Sequence, residues 1–201
     1  MRQRLEAGGE IDGFTLVEPL RKGGMAVLWR VTHPAHAGDH VMKIPLILEG
    51  DDPSMIVGFE MEQMILPRLE GRHVPTAIAI GDFATQPHLV MEWIEGRSLL
   101  ERMEGARFSP EETVVIGRAI AGALADLHRQ RVVHLDVKPA NILFRSDGTA
   151  VMVDFGLARH LDLPDLLAEE FRVPMGTAPY IAPEQVLGAR DDPRFWASGI
   201  S

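Results

Sequence analysis

The peptide VVHLDVKPANILF, Val132–Phe144, places His134, Asp136, Lys138 and Asn141 within eight positions and then enters an apolar triplet suited to a strand. A chain that only turned a corner here would not need that set. Asp136 can accept a proton from a hydroxyl, and Lys138 can neutralise negative charge on a group in transit. The amide oxygen of Asn141 can hold a hard metal ion. Ten residues beyond Phe144, the run Val153-Asp154-Phe155-Gly156 adds Asp154, a second oxygen ligand of the kind Mg2+ takes. An oriented hydroxyl, a metal clamp and nearby cations are what phosphoryl transfer asks of a protein, because its transition state needs positioning and charge more than covalent help.

The whole chain has 201 residues, 46% hydrophobic and 24% charged, which leaves room for one sizeable domain or two small lobes. A net charge of −9 argues against a nucleic-acid surface. The absence of cysteine excludes disulfides and thiolate metal sites. No apolar run reaches the length of a membrane span, and the N-terminal MRQRLEAGGEIDGF has no apolar core of the kind a secretion signal carries. The expected location is therefore the cytoplasm.

Upstream of the opening peptide the sequence reads as strands. GFTLVEPL, VLWRVT and HVMKIPLIL are extended runs separated by the glycine pair of RKGGMA and by the polar link Pro-Ala-His-Ala-Gly-Asp, a pattern that predicts an antiparallel meander. Asp52-Pro53 reads as a helix start, with Ile56, Phe59, Gln63 and Leu66 on one face and Pro67 ending or kinking it. TAIAIGDF and HLVMEWI follow as two more extended runs. The clearest helix is SPEETVVIGRAIAGALADLHRQR. Ser109 and Glu112 frame a capping box around Pro110, and Ile116, Ile120, Ala123 and Leu127 line one face. Arg129 to Arg131 suit the negative end of its dipole. ILF and VMVDF then read as short strands. The layout is a strand-rich first part and a helical second part, joined near Glu92–Gly96.

With HLDVKPAN, DFG and Ala182-Pro183-Glu184 in that order, the chain resembles the protein kinase family, specifically the bacterial serine/threonine kinases of eukaryotic type, from about Ile11 to the end. The resemblance implies an α+β, bilobal fold. An antiparallel N-lobe sheet with one helix would occupy residues 1–94, and a mainly helical, incomplete C-lobe residues 95–201. It implies ATP and Mg2+ as cofactors, a protein Ser/Thr hydroxyl as acceptor, Asp136 and Lys138 as the catalytic pair, and Asn141 and Asp154 as metal ligands. Lys43 in HVMK matches the strand lysine that pairs with nucleotide phosphates, and Glu62 the helix glutamate that holds it. RKGGMA aligns with the glycine-rich loop, with Gly23 on the second glycine and Gly24 beside it. Because Arg21 and Ala26 stand at the other two glycine positions, a stiffer phosphate cover and weaker nucleotide binding are expected. Adenine would lie between Leu20, Leu28 and Val41 above and Leu143 below. Backbone groups of Glu92 and Ile94 would meet its edge, with Met91 at the back. Lys138, two residues after Asp136, and GTAPYIAPE follow the serine/threonine pattern, with Thr177 placed to touch both Lys138 and Asp136.

Two departures carry expectations of their own. Leu135 stands where many kinases have an arginine that a phosphate offsets. Between Leu157 and Gly176 the chain has no Ser, Thr or Tyr, but does have Asp162, Asp165, Glu169 and Glu170. Phosphorylation within this segment is therefore not the expected switch, and Thr177 is the informative residue. The chain also stops at Ser201, soon after Ala-Pro-Glu, where family members continue with further helices. A fragment or truncation is expected, with Glu184 lacking its arginine, apolar surface exposed on the helix after Pro110, and marginal stability. The alternatives are a non-catalytic kinase-derived binding module and a small-molecule phosphotransferase. Gly-Thr-x-x-Tyr and Ala-Pro-Glu count against the latter.

Overall fold

Val27, Trp29 and Val31 are buried while their neighbours along the chain are not, and that two-residue period makes Ala26–His33 a strand with one face in the core. The computed structural model of the protein describes residues 5–23, 26–46, 53–105, 107–167 and 176–186. Within them the chain begins with β1 (Glu10–Ile11), β2 (Phe14–Lys22), β3 (Ala26–His33) and β4 (His36–Pro45), each antiparallel to the last. The polar link ahead of β4 is shorter than its composition predicts. His36 already pairs with His33, so the Ala-Gly-Asp that reads as loop is strand, exposed at Ala37 and Gly38 and half-buried at Asp39. Next come α1 (Pro53–Ile65), β5 (Ala77–Gly81) and β6 (His88–Glu92). The sheet order is β1-β2-β3-β4-β6-β5, so β6 slots beside β4 and β5 takes the edge.

One face of this sheet closes on Phe14, Leu16, Val27, Trp29, Met42, Ile44 and Val90. The other face meets α1 through Phe59, Met61 and Ile65, and that core runs on into the second half of the chain through Leu127, Ile142 and Phe155. Helix α1 does not follow a simple apolar stripe. Phe59, Gln63 and Leu66 are buried as predicted, but Ile56 is half-exposed and the charged Glu62 is 1% exposed. Gln63 is tolerated inside because its amide donates to the carbonyls of Gly81 and His88. Pro67 tightens the end of α1 into a single 3-10 turn, Leu66–Arg68. The Asp52 cap lies outside the described residues.

Gly96 carries the chain out of the sheet by crossing over Phe144. A Cβ at residue 96 would sit 2.0 Å from the Phe144 carbonyl oxygen, so only glycine passes. Beyond Gly96 come β7 (Arg97–Ser98), α2 (Leu99–Gly105), the long helix α3 (Pro110–Arg129), and the short elements β8 (Val132–Val133), β9 (Ile142–Phe144), β10 (Ala150–Met152), β11 (Arg159–His160) and α4 (Pro183–Val186). Strands β10, β9 and β7 form one small sheet, and β11 pairs with β8. The capping box closes as read: the Ser109 side chain accepts from the Glu112 amide, and Glu112 accepts from the Ser109 amide. Ile116, Ala123 and Leu127 are buried, while Val114 and Val115 are exposed. β10 ends at Met152 rather than running to Phe155, because Asp154 takes a left-handed φ of 67° that no strand accommodates.

Candidate active site

The opening peptide forms a loop between β8 and β9 whose centre is tied to itself. Leu135 has φ 60°, and this turn brings His134 and Asp136 into contact. His134 is 1% exposed. Its Nδ1 accepts from the Asp136 amide at 3.3 Å, so Nε2 carries the proton that goes to the Val153 carbonyl at 3.1 Å. Burial holds its pKa below the ordinary histidine value. Pro139 opens a 3-10 turn that lifts Asn141 back toward Asp136. The Asn141 amide nitrogen donates to both the backbone oxygen and Oδ2 of Asp136, each at 3.0 Å. That choice turns the amide oxygen of Asn141 away from Asp136, which suits a metal ligand.

Asp136 is 8% exposed and fully engaged. Its Oδ2 also accepts from Lys138 Nζ at 2.6 Å, and its Oδ1 accepts from the Thr177 hydroxyl at 2.7 Å. Lys138 in turn donates to Thr177 Oγ1 at 2.9 Å. Across the cleft, Lys43 on β4 donates to Glu62 on α1 at 2.5 Å and to Asp154 at 2.7 Å. Glu62 spans further, accepting from the Phe155 amide at 3.1 Å. Burial works against the Lys43 ammonium, but Glu62 and Asp154 outweigh it and raise its pKa above the ordinary lysine value. Lys43 holds the Asp154 carboxyl below the usual range, whereas burial pushes Glu62 up despite Lys43. Helix α1 approaches this loop backbone to backbone at Gly58, where a Cβ would lie 2.9 Å from the Gly156 oxygen.

These charged groups share one cleft of about 350 Å³, whose lining includes Lys43, Glu62, Asp136, Lys138, Asp154 and Thr177. Among the described residues no cluster of three or more His, Asp or Glu could enclose a metal by itself. Asn141 and Asp154 could each supply one hard oxygen to an ion that takes its remaining ligands from water and phosphate, as Mg2+ does. The Asp154 side chain is 45% exposed, so it remains open to such a ligand.

The apolar residues expected around adenine are not in the lining of this cleft but adjoin it, Leu28 being paired with Lys43. Leu28 and Val41 lie on paired strands β3 and β4, Val41 stands opposite Met91, and Leu143 is on β9. Leu20 is 37% exposed, whereas Met91 and Ile94 are buried. The Glu92 amide already donates to the Thr76 carbonyl at 2.8 Å, so only its carbonyl could serve a ligand. Gly23 closes the β2–β3 turn by donating to Ala26 O at 2.9 Å. Gly24 lies outside the described residues, as do Glu169, Glu170, the side chain of Glu184 and everything after Val186.

Two residues at the site were not found by sequence reading. Arg145, just past β9, grips Glu92 through both oxygens at 2.5 and 3.1 Å, and Gln185 reaches the Leu135 carbonyl at 2.8 Å. Each pairing is more than 45 residues long in sequence, and neither leaves a local spacing signal.

The sequence profile of the protein kinase domain matches residues 14–200. The chain is 38% identical over 186 residues to the serine/threonine-protein kinase PknL of Mycobacterium tuberculosis, an overlap covering 92% of this chain and 46% of the relative. It is 31% identical over 198 residues to PknF, another serine/threonine-protein kinase of that organism, over 94% of this chain and 41% of the relative. The crystal structure of the M. tuberculosis PknI kinase domain matches with a TM-score of 0.68 at 27% identity, over 95% of this chain and 70% of that one. The chain thus spans less than half the length of these curated relatives. Among the described residues no helix is long and apolar enough to cross a membrane.

Proposed function

Because this chain belongs to the protein kinase domain family, we propose that it transfers the γ-phosphate of ATP, with Mg2+, to a serine or threonine hydroxyl of a protein. In this reading residues 1–94 cover the nucleotide and residues 95–201 present the acceptor. The observation that carries it is the Asp136–Thr177 contact: Asp136 Oδ1 already accepts a hydrogen bond from a threonine hydroxyl at 2.7 Å, with Lys138 2.9 Å from that same oxygen. An acceptor hydroxyl in that position would be oriented by Asp136 and lose its proton to it as the new bond forms. Lys138 would balance charge on the moving phosphoryl group.

Lys43 would hold the nucleotide's phosphates, kept in place and in its charged state by Glu62. Bound Mg2+ supplies charge neutralisation at the phosphates, and Asn141 and Asp154 are the residues that would hold it. Leu20, Leu28, Val41, Met91 and Leu143 would enclose the base, with backbone groups of Glu92 and Ile94 at its edge and Gly23 and Gly24 over the phosphates.

The test is incubation with γ-labelled ATP, Mg2+ and a generic protein acceptor, followed by phosphoamino-acid analysis. Label on serine or threonine, abolished by chelating Mg2+, supports the reading. Complete absence of transfer, or label confined to tyrosine, overturns it.

A further inference from the structure

Among the described contacts, segment 176–186 is fastened to the loop around Asp136 at Thr177, through charged groups, and at Gln185, through a neutral amide. At Thr177 the fastening is the contact with Asp136 and Lys138. Eight residues on, Gln185 donates through Nε2 to the Leu135 carbonyl at 2.8 Å, and its Oε1 accepts from the Ala182 amide at 3.2 Å. With both ends of the amide engaged and the residue 9% exposed, its orientation is fixed. The bonded carbonyl belongs to a residue at φ 60°, a conformation that a leucine adopts only when its surroundings hold it there.

The two fastenings are also packed against each other. A Cβ at Gly176 would lie 3.2 Å from Ile181 Cγ1 and 3.5 Å from Gln185 Nε2, so the backbone entering Thr177 rests on the residues leading to Gln185. Leu135 brings no charge, and residues 157–176 contain no hydroxyl that could receive a phosphate. A neutral carboxamide bond is therefore what links this segment to the turn that sets Asp136, and it does not depend on modification.

We propose that Gln185 is a positioning residue: by bonding the Leu135 carbonyl it sets the left-handed turn that aims Asp136 and registers Thr177 on it. The inference about turnover rests on the kinase reading above. The inference about the loop does not.

Gln185→Glu is the informative variant. Glutamate keeps an acceptor for the Ala182 amide but places an oxygen, with no proton to donate, against the Leu135 carbonyl. Hydrogen–deuterium exchange over residues 132–141 should accelerate at least fivefold while residues 110–129 keep their protection. Under saturating ATP, kcat for a protein acceptor should fall about tenfold with KM for ATP within twofold of wild type. Combined with Thr177→Val, the loss should be no greater than for the larger single change, because both act through one registration. Gln185→Met, which keeps the bulk, should match Gln185→Glu on both readouts. Unchanged exchange in both variants overturns the proposal, as does faster exchange with kcat still within twofold of wild type. If the wild-type protein transfers no phosphate at all, the kinase reading falls, and the exchange result alone decides whether Gln185 holds the loop.

Discussion

Replacing Lys43 by methionine removes the only cation that touches both Glu62 and Asp154 among the described contacts. The aliphatic stem is kept, so the change is mainly electrostatic. Glu62 is 1% exposed, and its remaining partner is the Phe155 amide. Deleting one partner of a buried ion pair costs about 3–5 kcal/mol, because the other charge is left without compensation. For a chain of this size about 2–4 °C is lost per kcal/mol, so the melting temperature should fall by roughly 6–20 °C. The loss should depend on pH. Burial already pushes the Glu62 carboxyl up, and without Lys43 it rises further, so the folded variant binds a proton that the unfolded chain binds only near its ordinary value of 4.5. A group with a raised folded pKa favours the folded state at low pH and loses that contribution as pH rises through the folded value. The deficit should therefore be largest near pH 8 and shrink toward pH 5. Adding Glu62→Met removes the stranded carboxylate and should recover more than half of the lost stability without restoring phosphoryl transfer. Thermal melts of the two variants at pH 5 and pH 8 decide the matter. A Lys43→Met melt equal to wild type at pH 8, or a double variant no more stable than the single, would refute the reasoning.

Other outcomes follow from the same contacts. His134 is buried and neutral, with its pKa lowered by burial, so the unfolded chain takes up more protons below about pH 6.5 than the folded one. That contribution is present above pH 6.5 and is lost as pH falls through the folded value, costing at most about 1.4 kcal/mol by pH 5.5. Melting should drop between pH 7.5 and 5.5, with a shallower slope in His134→Asn, and a flat wild-type profile would contradict this. Glu92 resists burial by pairing with Arg145 and Thr76, which together hold its carboxyl below the usual range. Arg145→Ala should free that strand end and weaken ATP binding about three- to tenfold by calorimetry, with kcat changed less than twofold; unchanged affinity would deny the link. Gly96→Ala would drive a methyl into the Phe144 carbonyl and should cost about 1–3 kcal/mol in urea unfolding, whereas an exposed Gly148→Ala would report only left-handed strain.

How much of this was legible depends on the range over which each signal acts. The period of two in β3 and the Ser109–Glu112 box with Pro110 are local, and the structure reproduces them. β7, β8 and β11 are two residues long and α2 buries only Leu99, so none carries a pattern that a reader of sequence could detect. Helix α1 misleads for a physical reason: its inner side holds Glu62 and Gln63, which are polar residues satisfied by Lys43 and by strand carbonyls. The order β4-β6-β5 rests on packing across the sheet and not on adjacency in the chain. At the site, the motif residues Asp136, Lys138, Asn141 and Asp154 could be picked out because their types and spacing are unusual together. Arg145 and Gln185 could not, since an arginine after a strand or a glutamine in a short helix is ordinary until the fold brings it to its partner.

The most direct test separates the two aspartates. Asp136→Asn should bind Mg2+-dependent ATP in calorimetry with wild-type affinity yet transfer at least a hundredfold less γ-phosphate to protein. Asp154→Asn should lose the Mg2+ dependence of binding itself. Equal transfer by Asp136→Asn and wild type, or ATP binding in both variants indifferent to Mg2+, would contradict the account.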